Sequence, residues 1–139
     1  MANGTIVVGV DESDAAHAAL EWAVAESKVR GNSLHIIHVF PVMAGFGTEI
    51  APEYYPQAEK EAEAELQRVL AGASEVNDLP DVKATVIPGG PAQVLVEQSQ
   101  DAEMLVLGHR GKGGFAGLNL GSVSAQCARH ARCPVVIIR

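Results

Sequence analysis

The segment Glu103–Ser124, "EMLVLGHRGKGGFAGLNLGSVS", decides how the chain folds. It opens on Glu103 to Leu107, an apolar run of strand length, and passes into a cluster of glycines from Gly108 to Gly121. A helical stretch, Ser122 to Ala131, follows at once. Glycine loses more conformational entropy on folding than any other residue, so a cluster between two ordered segments marks a bent main chain or a close approach to something. Strand, glycine turn and helix in that order predict a site where backbone amides face a ligand.

The same alternation extends outward in both directions. Thr5 to Val10 (TIVVGV) is a short β-branched strand ended by Asp11. Ser13 or Asp14 can cap a helix with Ala15, Ala18, Ala19, Trp22, Ala23 and Val29 on its apolar face, stopped by Gly31. Ser33 to Phe40 (SLHIIHVF) is a second strand halted by Pro41, and the connection from there to Pro56 reads as a lid or crossover. Gln57 to Ser74 is a helix with Leu66, Val69 and Leu70 inward. Val82 to Ile87 is a third strand, and Pro91 opens a helix through about Gln100. Pro134 to Ile138 (PVVII) is a fifth strand after the Ser122 helix.

The strands are nearly continuous apolar runs, the mark of a parallel sheet covered on both faces, and the chain reads as one α/β domain over 1–139. Ligands of such open sheets sit beyond the carboxyl ends of the strands, where the strand order reverses. Gly9-Val10-Asp11 and the glycine cluster both lie at such ends. If their strands are neighbours, the two segments face each other across one crevice.

Charge is distributed unevenly along the 139 residues, whose net charge is −7. All 17 acidic residues lie at or before Glu103 with five of the ten Lys and Arg, so the first 103 residues carry −12 and the last 36 carry +5. The acidic total argues against a nucleic-acid surface, while the cationic tail around the glycines points to a small anion. No stretch approaches the ~20 apolar residues of a membrane span and no signal segment is evident at Met1, so a cytoplasmic location is expected. Cys127 and Cys133 have no CxxC pattern and read as packed thiols. His35 and His38 point to opposite faces of their strand, and His17 and His130 have no metal motif, so no metal site is expected.

Unsatisfied N–H groups and the positive end of the helix dipole favour phosphate at a helix start. Ser122, Val123 and Ser124 can donate from the backbone, the two serines also from the side chain, with Arg110 and Lys112 adding charge. Helix capping is the competing role for Ser122, as it is for Asp11. No lysine has the setting of a P-loop. Gly111 to Ala116 fits a relaxed GxGxxA, but no acidic residue follows Glu103 to hold a ribose as a dinucleotide fold requires.

The spacing G-x2-G-x9-G-S from Gly108 to Ser122, the opening "IVVGVDES", "HVF" closing strand two and the terminal "CPVVIIR" together resemble the universal stress protein family, in its ATP-binding branch. The resemblance covers the whole chain. It implies a five-stranded parallel sheet in the order 3-2-1-4-5, of the adenine-nucleotide α-hydrolase-like kind, and a homodimer joined through strand five. Gly9 and Val10 would lie beside the nucleoside, Asp11 would accept from the ribose hydroxyls, and Val39 would meet adenine through its backbone. Gly108 and Gly111 would shape the turn, and the loop through His109, Arg110, Lys112, Gly113 and Gly114 would run along the phosphates. Gly121, Ser122, Val123 and Ser124 would bind the phosphate chain. Glu12 departs from the family's common glycine, and Gly117 and Asn119 fall in a stretch that is often basic and leucine-rich.

The expected function is an ATP-binding regulator of a stress response that acts through client proteins, ATP carrying Mg2+ where needed. The alternatives are a cyclic AMP binder, a slow ATPase and a docking protein without ligand. No catalytic residue is expected, because phosphoryl transfer needs an oriented nucleophile and metal placement for which the cationic third supplies no acid.

Overall fold

Thr5–Gly9 forms the first strand, β1, and leads into helix α1, Asp14–Arg30. The computed structural model describes residues 4–41, 55–110 and 121–139. Most of the connection after Pro41 therefore lies outside the described residues, as do Gly111, Lys112, Gly113, Gly114, Gly117 and Asn119. Strand β2 is Ser33–Phe40, helix α2 is Tyr55–Ala71, strand β3 is Val82–Pro88 and helix α3 is Pro91–Gln98. Strand β4 is Met104–Gly108, helix α4 is Ser122–His130 and strand β5 is Val135–Ile138.

The five strands make one parallel sheet in the order β3-β2-β1-β4-β5. Side chains alternate between its faces. Ile6, Val8, Leu34, Ile36, Met104 and Val106 pack on one side with Ala16, Leu20 and Val24 of α1 and Leu66 and Val69 of α2. On the other side Val7, Ile37, Leu105 and Leu107 meet Leu95 of α3 and Cys127 of α4. The central strands are sealed between two helical layers, which explains their unbroken apolar runs. Among the described residues no helix is long and apolar enough to cross a membrane.

Helix α1 begins as the sequence predicts: Ser13 is its N-cap, with the side chain accepting from the Ala16 amide at 3.1 Å, and left-handed Gly31 closes it. Its buried face differs from the expected one. The stripe is Ala16, Ala19, Leu20, Ala23, Val24 and Ser27, while Ala15, Ala18 and Trp22 are only partly covered and Val29 is 82% exposed. Alanines occur on most sides of this helix, so the sheet and not the helix pattern selects the face. The second helix also differs, ending at Ala71 instead of Ser74. Ala73 turns into the core at 1% exposure and a short 3-10 segment, Ser74–Asp78, carries the chain to β3.

Candidate functional site

The strand order reverses between β1 and β4, which pair directly through Ile6–Met104, Val7–Leu105 and Val8–Val106. Their C-terminal ends diverge into α1 on one face and toward α4 on the other, and the gap between them opens into a cavity of about 410 Å³. That volume falls within the range of small-molecule sites. Gly9, Val10 and Asp11 form its middle, and Ile37 and Val39 of β2 line one end. Gly108, Arg110, Gly121, Ser122, Val123 and Ser124 line the other. The two glycine-bearing segments that the sequence places at strand ends therefore meet across one crevice.

Small residues make the crevice possible. A methyl group on Gly9 would lie 2.8 Å from Leu95 Cδ1 and 2.9 Å from Leu107 Cδ2, so its main chain forms a floor that no side chain could cover. Gly108 has a packing role. A methyl group there would stand 2.6 Å from the carbonyl carbon of Ala15 and 2.7 Å from its oxygen, so this glycine lets β4 press against the first turn of α1.

The start of α4 is built around the His109 carbonyl. It accepts the Gly121 amide at 2.7 Å and the Ser124 hydroxyl at 2.9 Å, closing the base of the glycine-rich stretch. The Ser124 side chain, 3% exposed, also reaches the Gly121 carbonyl at 3.1 Å, so its hydroxyl is used internally and only its amide remains for a ligand. Ser122 is the first helical residue, not the cap; Gly121 takes the cap position and has no side chain to fill it. The amides of Ser122, Val123 and Ser124 belong to the first turn, where helix geometry provides no acceptor. Three N–H groups and the positive end of the helix dipole thus look into the crevice beside Arg110.

His109 does not line the cavity. Its ring turns to β5, with Nδ1 at 3.2 Å from the Ile138 carbonyl, and Nε2 accepts from Arg110 Nε at 3.3 Å. The carbonyl can only accept, which assigns the proton to Nδ1 and makes His109 a brace for Arg110. Asp11 does not cap α1 either, because Ser13 does; Asp11 Oδ1 accepts the Ser13 amide at 2.8 Å in a turn ahead of the helix. Glu12 is held outward by Arg68, whose Nε and second guanidinium nitrogen reach its carboxylate at 2.9 and 3.3 Å. Behind the site, burial pushes the Cys127 thiol up to about 11, with Cys133 a second cause.

The sequence analysis missed Ile37, Leu107, Pro91 and Leu95, which supply the apolar wall. Leu95 stands four residues after the helix-opening Pro91, a spacing that sets both on one face, but only the fold shows which way that face looks. Among the described residues no group of three or more His, Cys, Asp or Glu could hold a metal ion.

An open parallel sheet with a crevice at its switch point, apolar at one end and lined by helix-start amides at the other, defines a doubly wound α/β protein. The chain belongs to the universal stress protein family, whose model matches residues 2–139. It is 35% identical over 138 residues to universal stress protein Rv2623 of Mycobacterium tuberculosis, covering 96% of this chain and 46% of that protein. The chain spans about half the length of the curated relatives it matches. Among solved structures, universal stress protein UspA from Lactobacillus plantarum superposes with a TM-score of 0.79 at 24% identity, covering 100% of this chain and 99% of that one. A universal stress protein in complex with cAMP superposes with a TM-score of 0.71 at 26% identity, covering 100% and 99%.

Proposed function

We propose that this chain is an adenine-nucleotide-binding regulator that holds ATP in the crevice between β1 and β4. The observation that carries this reading is the pairing of an apolar slot with the uncapped start of α4 in one cavity. The slot, walled by Ile37, Val39, Leu95 and Leu107, suits a flat heterocycle. Asp11, with one oxygen fixed by the Ser13 amide, is placed between the two ends and suits a ribose. The amides of Ser122, Val123 and Ser124, with Arg110, suit a phosphate chain. Gly111, Lys112, Gly113 and Gly114 are proposed to run along the phosphates. Mg2+ would travel with the phosphate oxygens and water, since the nearby acids Asp11 and Glu12 are engaged with Ser13 and Arg68.

The same chemistry argues for retention of the nucleotide instead of turnover. Phosphoryl transfer needs a residue that orients the attacking group. Asp11 is the acidic side chain among the described residues lining the cavity, and one of its oxygens is already held by the Ser13 amide. Hydrolysis is therefore at most slow, and the output is a nucleotide-dependent change read by a client protein.

Assembly is proposed to be a homodimer through β5, an edge strand whose Val135–Ile138 are all only partly covered. Sedimentation at rising concentration checks this, and a constant monomer mass contradicts it.

Cyclic AMP is the second reading, favoured by the neighbour solved with that ligand. Mass spectrometry of nucleotide released from heated, purified protein tests the proposal. Recovered ATP or ADP supports it, and cyclic AMP transfers the site to the second reading. No nucleotide together with no calorimetric heat on adding ATP refutes both.

A further inference from the structure

His38 lies in the row of β2 side chains under α1 and α2, beside Leu34 and Ile36, and is 6% exposed. Both ring nitrogens are engaged: Nδ1 is 3.0 Å from the Val10 carbonyl oxygen and Nε2 is 2.8 Å from Glu65 Oε2 on α2. Each partner is an acceptor. A carbonyl and an ionised carboxylate bring no proton, and a neutral imidazole carries a single N–H, so both contacts are hydrogen bonds only when the ring holds two protons. A neutral ring leaves one acceptor facing a bare nitrogen, which is costly at a buried position.

The atom held by Nδ1 belongs to the peptide joining Val10 to Asp11, in the middle of the crevice. The Val10 amide is fixed as well, donating to the Ile37 carbonyl at 2.9 Å. One residue further on, Glu12 is gripped by Arg68. Glu65 and Arg68 stand three apart and share a face of α2, so this helix grips the turn after β1 at a buried point and an exposed one. The charged group that meets His38 is Glu65 of α2, and the Arg68–Glu12 pair lies one helical turn along the same face of α2. Beside it in the sheet, β3 places the uncharged Val86.

We infer that His38, as an imidazolium bridging the Val10 carbonyl and Glu65, is a positioning residue that fixes the Val10–Asp11 peptide and makes ligand retention in the crevice depend on pH. The inference rests on the reading of the crevice as an adenine-nucleotide site. The sign follows from the proton count. The bridge is complete while the ring holds two protons and loses one bond when it holds one, so affinity falls as rising pH removes the second proton.

Calorimetric titration of the full chain with MgATP, from about pH 5.5 to about pH 8.5, is compared between the native protein, His38→Gln and Glu65→Gln. The native protein is expected to lose about three- to tenfold more affinity across that range than either variant, the equivalent of one hydrogen bond. Taking the difference removes the titration of ATP itself and of every group the three proteins share. Parallel profiles overturn the inference. Proton–nitrogen spectra of the nucleotide-free native chain provide a readout independent of how the variants fold. Two ring-bound protons on His38 at the acid end, with Val10 and Asp11 amide signals moving as the ring titrates, are expected, and a singly protonated ring throughout overturns it. A native chain that takes up no ATP sinks the nucleotide reading, and those spectra then decide the bridge by themselves.

Discussion

Replacing Gly108 with alanine tests the packing that opens the crevice. Among the described residues the positive-φ glycines are Gly31 and Gly89, so the substitution at Gly108 creates no backbone strain of its own. Its cost is contact. The added methyl would sit 2.6 Å from the Ala15 carbonyl carbon, 2.7 Å from the oxygen and 2.8 Å from Cβ, against about 3.5–4.0 Å for an ordinary carbon contact. Ala15 lies in the first turn of α1, so its backbone cannot swing away as a side chain can, and α1 or β4 must move by about 1 Å. Overpacking of this kind costs about 1–3 kcal/mol. Alanine returns about 0.4–1 kcal/mol by restricting the unfolded chain. The net expectation is a loss of about 2 kcal/mol, or about 1 M in a urea midpoint at an m-value of about 2 kcal/mol/M. Gly9→Ala provides the comparison. Its methyl would meet only the flexible ends of Leu95 and Leu107, so the expected loss is smaller, about 1 kcal/mol. Urea unfolding followed by circular dichroism measures both. A Gly108→Ala midpoint at or above the native one refutes the close approach of β4 to α1.

Further expectations follow from individual positions. Gly89→Ala places a side chain at φ 138° and 2.8 Å from Val94 Cγ2, and should destabilise the protein by about 1–3 kcal/mol in the same unfolding assay. Cys127, held near 11 by burial against an ordinary 9.0, keeps its proton in the fold where the unfolded chain has lost it. Stability should therefore fall as pH rises from about 9 to about 11. At pH 8 a thiol reagent should label Cys133 well before Cys127 in the native protein, and equal rates would contradict the burial. Replacing both Gly121 and Ser122 with glutamate should abolish ATP binding by calorimetry while the unfolding midpoint stays close to native, since Ser122 is exposed and Gly121 only partly covered.

What the sequence made legible was set by how local the cause is. Strand β2 was read over the bounds it has, Ser33 to Phe40, because a glycine cap and a proline bracket a largely apolar run. The α1 cap, read as Ser13 or Asp14 and found to be Ser13, and the Pro91 helix start depend on neighbouring residues and were readable in the same way. The buried face of α1 was not, because its alanines make several faces alike and only the sheet chooses among them. Gly108 was legible as a glycine that matters, yet its reason is Ala15, 93 positions earlier in the chain. The Ser124 hydroxyl and the His109 ring bond to the main chain around them, since the polar groups of a tight strand-to-helix junction need partners first, and that leaves the Ser124 amide facing the crevice. The His38–Glu65 bridge joins residues 27 apart and had no local signal beyond a histidine in an otherwise apolar row.

The central claim is that the first-turn amides of α4 receive a nucleotide phosphate. Amide proton–nitrogen spectra recorded while MgATP is added to the native chain test it directly. The signals of Ser122, Val123 and Ser124 are predicted to shift most, together with Gly9 and Val10 across the crevice, and to saturate with one equivalent of nucleotide. Saturable ATP binding that leaves those three amides unmoved, or no binding at all, would contradict it.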